Sequence, residues 1–177
     1  MIHVVTLEPY DAEHVQAVCR ALFTAYGIGA EHTAELKLPE SATVDGGLDA
    51  EKVTFQSESP KTFGDDRILY LVKRPFRARP SPVGNIPTHS FADYGRSRAA
   101  LSAALVTQGA TTTEAQAQRL AKLAVHTVGH LFDLHHCVDT RCSMAVPWGT
   151  SYASSQSADL CNFCREKSER RMKNDAA

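Results

Sequence analysis

The chain has 177 residues, 43% of them hydrophobic, and a formal net charge of -1. That length suits one domain with a real core, and the near-neutral balance argues against a broad nucleic-acid surface. No apolar run is long enough to cross a bilayer, and the opening MIHVVTLEPYD reaches Glu8 and Pro9 too soon for a signal peptide. The expectation is a cytosolic, monomeric protein that engages neither nucleic acid nor membrane.

Residues 2–7 (IHVVTL) predict a strand from their β-branched content. Asp11 is placed to cap a helix in which Val15, Val18, Cys19, Leu22 and Phe23 share one face, and Gly27 and Gly29 end it. Cys19 on that face reads as a small buried residue. Residues 33–38 (TAELKL) and 52–56 (KVTFQ) read as strands on either side of a turn-rich passage from Pro39 to Asp49. A stronger strand lies at 67–73 (RILYLVK), where the apolar run predicts a central position in the sheet. From Lys73 to Ser90 the chain carries Pro75, Pro80, Pro82 and Pro87 with Lys73, Arg74, Arg77 and Arg79, the composition of a solvated loop, and His89 reads as a surface histidine.

Residues 98–106 (RAALSAALV) favour a helix by propensity alone. Thr111 and Glu114 are spaced as a capping box opening a long helix. In it Leu120, Leu123, Ala124, Val128 and Leu131 cluster on one side, and His126 and His130 fall roughly a third of a turn away. One stripe faces the sheet and the other a cleft.

The chemistry concentrates in His126 to Met144, HTVGHLFDLHHCVDTRCSM. Two imidazoles at i and i+4 project from one helix face and can reach one metal ion. His136 follows far enough on for the chain to turn and bring a third imidazole, leaving one coordination position open. Cys137 and Cys142, then Cys161 and Cys164, have the spacing of a closed tetrahedral zinc site. With five cysteines in all, four of them so paired, the pattern fits zinc in a reducing compartment better than a disulfide framework. Two zinc ions per chain are expected, one catalytic in type and one structural.

This string resembles the archaemetzincins, zinc metalloproteases of the metzincin clan. The family pattern, HExxHxxGxxxC followed by C, M and CxxC, is met at His126, His130, Cys137, Cys142, Met144, Cys161 and Cys164. The resemblance selects His136, directly before the first cysteine, over His135 as third ligand. It makes Met144 the Met-turn beneath the metal, and it turns residues 98–106 into an edge strand against which an extended peptide lies. The implied fold is α/β (α+β): a twisted mixed sheet with a backing helix and a zinc-site helix over residues 1–132. A small, irregular, zinc-stapled lower half follows over 133–177, all one domain. Trp148 and Tyr152 would pack in that lower half, and REKSERRMKNDAA would form a short charged helix and a tail.

Two positions depart from the family. Thr127 stands where the general-base Glu belongs, and a threonine hydroxyl does not take a proton from zinc-activated water near neutral pH. Asp133 replaces the glycine that turns the chain after the helix, and Asp is among the residues that tolerate left-handed backbone angles. The expectation is an archaemetzincin-like peptidase impaired or silenced at the proton-transfer step. Two alternatives are a non-catalytic, zinc-containing peptide-binding module and a zinc-hydroxide chemistry that needs no carboxylate base. A peptide or protein is the expected partner.

Overall fold

The computed structural model describes residues 1–62, 64–79, 82, 88–104, 110, 112–146 and 158–175. β1 (Ile2–Thr6), α1 (Ala12–Tyr26) and β2 (Ala30–Glu35) open the chain, followed by a short hairpin of β3 (Thr43–Val44) and β4 (Gly47–Leu48). Then come α2 (Ala50–Gln56), β5 (Arg67–Val72), β6 (Ser90–Ala92), β7 (Arg98–Ser102), α3 (Thr113–Leu131) and a last helix, α4 (Asn162–Asp175). The main sheet has the order β2-β1-β5-β7-β6. Its first four strands are parallel, and β6 lies antiparallel to β7 at the edge.

Both faces of this sheet are covered, which is why β1 and β5 read as near-continuous apolar runs. Ile2, Val4, Leu69, Leu71, Ala99 and Leu101 point to the face packed by α1 and α3. The alternate residues Val5, Ile68, Tyr70, Val72 and Ala100 point to the other, where they meet Leu48, Val53 and Phe76. The predicted stripe of α3 is buried throughout, from Leu120 to Leu131.

Several elements differ from expectation. Residues 52–56 belong to a helix: the Asp49 carboxylate accepts from the backbone N–H of Glu51 and Lys52, a cap that outweighs a short alternating pattern. β2 begins at Ala30 and stops at Glu35, so only part of 33–38 is strand, while Leu36 and Leu38 tuck against the second core. Residues 98–102 are a strand, but an internal one, because β6 pairs outside it. β6 itself emerges at the end of the passage read as loop. Asp11 occupies the N-cap of α1 without a side-chain bond to it. Phe23 is 58% exposed, since α1 meets its neighbours through Val15, Val18, Leu22, Ala25 and Tyr26. Cys19 is half-buried. The cap of α3 is Thr112, whose hydroxyl accepts from the Ala115 N–H; Thr111, Trp148 and Tyr152 lie outside the described residues. No helix among the described residues is long and apolar enough to cross a membrane.

Candidate metal centres

α3 delivers His126 and His130 one turn apart, and the chain then stops helical winding in two bonds. The Asp133 N–H donates to the His130 carbonyl and the Leu134 N–H to that of Gly129, the paired pattern of a Schellman motif. Its left-handed residue is Asp133, at φ 60°. This reversal brings His136 back, so that ring nitrogens of His126, His130 and His136 all lie within 4.8 Å of one another. His135, by contrast, stacks on Tyr94 with ring centroids 5.7 Å apart.

The protonation pattern favours a shared cation. His126 Nδ1 is 2.7 Å from the Ser143 carbonyl and His130 Nδ1 is 2.8 Å from the Leu134 carbonyl. A carbonyl only accepts, so each Nδ1 carries the proton and each Nε2 presents a lone pair. Burial, with the charge of His130 adding to it, draws His126 down to about 3. Burial likewise draws His130 down to about 4, so both rings are neutral at pH 7. Two bare lone pairs then face each other across 3.2 Å. That separation is close to the edge of a tetrahedron with zinc–nitrogen bonds of about 2.0 to 2.1 Å. The residues fit a zinc ion, which they would hold through Nε2 of His126 and His130 with a ring nitrogen of His136.

Met144 is fully buried and packs its sulfur against α3 at Gly129. Gly129, between the two histidines, leaves the room for it: a Cβ there would overlap the Met144 sulfur and stand 3.0 Å from the Tyr26 hydroxyl.

Thr127 points elsewhere. It is fully buried, and its hydroxyl donates to the Leu123 carbonyl at 2.8 Å, four residues back in the helix. That bond uses the side chain's one proton.

The second ligand set lies directly beyond. Sγ atoms of Cys137, Cys142, Cys161 and Cys164 fall within 4.8 Å of one another, with Cys137 and Cys161 3.8 Å apart. Zinc–sulfur bonds of about 2.3 Å give the same tetrahedral edge, about 3.8 Å. None of the five cysteines is in a disulfide. The backbone N–H groups of Met144 and Cys161 approach Cys142 Sγ at 3.4 and 3.3 Å, and donors so placed favour a thiolate. A bond from the Cys137 N–H to the Met144 carbonyl links the two ligand sets.

Two residues at this site carry no sequence signal that ties them to it. Tyr94, from the turn between β6 and β7, packs its ring 4.4 Å from that of His130. His89 is half-buried rather than a surface residue. Burial lowers its pKa, its field reaches His126, and its Nδ1 has no hydrogen-bond partner among the described residues. Elsewhere on α3, Lys122 is buried, and burial lowers its pKa to about 8.

Residues 104–170 match the family model of peptidase family M54. Among solved structures, the archaemetzincin of Methanopyrus kandleri is similar with a TM-score of 0.80 at 21% identity, covering 97% of this chain and 94% of that one. The archaemetzincin of Archaeoglobus fulgidus, complexed with malonate, gives 0.77 at 18%, covering 94% and 98%. A zinc-dependent peptidase of Methanocorpusculum labreanum gives 0.78 at 18%, covering 95% and 100%. No curated protein sequence matches. The stretch bearing both ligand sets thus matches the model of peptidase family M54, and the chain has the fold of the archaemetzincins.

Proposed function

We propose that this protein binds peptides in a zinc-metallopeptidase cleft and hydrolyses them poorly or not at all. Thr127 carries the reading: a buried hydroxyl, donated to Leu123, stands at the position of the family's general base. A zinc ion held by His126, His130 and His136 would supply Lewis-acid polarisation of a carbonyl and of water. What the chain itself lacks at Thr127 is a carboxylate to move the proton. General acid–base catalysis contributes about 10²- to 10⁴-fold, and that is the size of the deficit. The same side-chain commitment argues against Thr127 orienting a base-independent hydroxide reaction. β6, one of the two edge strands of the sheet, is three residues long and half-buried, so addition of an extended peptide there would be short. Two zinc ions per chain, one for each ligand set, and a cytosolic, monomeric state belong to the same reading.

Thr127→Glu tests it. Assayed on a mixed library of unstructured peptides at neutral pH with zinc present, the variant should gain peptidase activity by about 10²-fold or more. His130→Ala added to it should abolish the gain. A wild-type rate equal to that of Thr127→Glu would show a different base at work.

A further inference from the structure

We propose that the Tyr94 hydroxyl covers the fourth coordination position of a metal held by His126, His130 and His136, closing with a side chain the place where a peptide carbonyl or water would bind. The inference rests on the metal reading of the three histidines and adds to it a residue no ligand motif contains.

Three observations carry it. Tyr94 Oη lies 3.5 Å from His130 Nε2, long for a hydrogen bond. It is near one edge of the coordination tetrahedron, about 3.3 Å for zinc–nitrogen bonds of about 2.0 to 2.1 Å. The phenol oxygen is therefore as far from this nitrogen as a second ligand of the same ion would be. Its lone pairs are what it offers there.

Second, the ring is clamped. It packs against the imidazole of His130 at 4.4 Å and stacks on that of His135 at 5.7 Å.

Third, its backbone is tied to the metal helix. The Gly95 N–H donates to the His130 carbonyl at 2.9 Å, and the Arg171 guanidinium of α4 donates to the Gly95 carbonyl at 3.1 Å. Bonds from the Arg96 N–H to the Asp93 carbonyl and from the Asp93 N–H to the Arg98 carbonyl close the turn. Moving the phenol away requires a rotation about its own side chain, because the turn beneath it is held from two helices. Tyr94 is still 47% exposed, so the ring is at the cleft surface and can be displaced by a ligand with a stronger donor.

The consequence is a cleft closed at its reactive point by Tyr94 as well as disarmed at Thr127. An incoming ligand competes with a tethered oxygen instead of a free water.

The test uses full-length protein with zinc already in the cysteine set and cobalt(II) added to the histidine set, and acetohydroxamate as the probe for the fourth position. Visible absorption reads both the cobalt ligand field and probe binding. Tyr94→Phe should change the cobalt spectrum before any probe is added. It should bind acetohydroxamate about tenfold more tightly than wild type, as expected if the phenol leaves the position open about a tenth of the time. Equal affinity with an unchanged spectrum overturns the proposal. Weaker probe binding by Tyr94→Phe also overturns it, and makes Tyr94 a hydrogen-bond donor to bound ligands. If His126→Ala and His130→Ala take up cobalt with the wild-type spectrum, the metal reading of the histidines fails and the proposal with it, an outcome distinct from the other two.

Discussion

Gly129 shows how little room the histidine pair has. Any side chain there meets the sulfur of Met144 and the hydroxyl of Tyr26, which in turn donates to the Val125 carbonyl. Gly129→Ala gains helix propensity but overpacks a closed core, and overpacking costs about 1 to 3 kcal/mol. The net expectation is a destabilised protein with weaker zinc retention, because Met144 packs on α3 at Gly129, between His126 and His130. Denaturant unfolding and metal analysis of the variant check this, and a stabilised protein with full zinc content would count against it. Asp133 is the converse case. A non-glycine residue accepts φ 60° because the Schellman bonds and the Lys167 ammonium on its carbonyl hold the turn, and His136 stays within reach of the other two rings.

At the scale of elements, α3 is defined from both ends: Thr112 caps its start and the turn at Asp133 ends it. The segment from Cys137 to Cys142 has no comparable support. It contributes one isolated bridge, Cys137 to Ala145, and a few turn bonds. Its order depends on the four cysteines, whose thiols at Cys142 and Cys164 are pushed up by burial and which a bound cation would hold as thiolates. Cys142→Ala should therefore lower the thermal midpoint and expose the lower part to proteolysis, with zinc content falling by one ion per chain. An unchanged midpoint would mean that the apolar contacts of Leu134, Met144 and Leu160 suffice. Two of the misread elements have local causes. The alternating KVTFQ is too short to separate strand from helix until the Asp49 cap is seen, and β6 has three residues amid prolines, held only by its partner β7.

For the whole molecule, the buried histidines couple metal, pH and stability. An unfolded chain protonates them near pH 6.5. The folded, metal-free chain resists until about 4 for His130 and about 3 for His126. Stability of the metal-free protein is thus full above pH 6.5 and falls as pH drops through this window, by up to about 1.4 kcal/mol per pH unit for each imidazole. Thermal midpoints measured between pH 7 and pH 4 should decline steeply for wild type and less steeply for the double variant His126→Asn, His130→Asn. Parallel curves would show that other groups set the acid limit.

The ligand types and their spacing were legible in the sequence because they obey local rules: i and i+4 on one helix face, and paired cysteines across short loops. The apolar stripe of α3 and the central position of β5 were legible for the same reason, since helix and strand periodicity report which face is buried. The tertiary structure alone decided what surrounds those ligands. Carbonyls of Ser143 and Leu134 set the histidine tautomers, β6 takes the sheet edge, and the turn at Gly95 brings Tyr94 to His130, 36 residues away. No periodicity connects such residues; they meet because parallel strands and the returning helix close one cleft, and that closure is a property of packing between elements rather than of any stretch of chain.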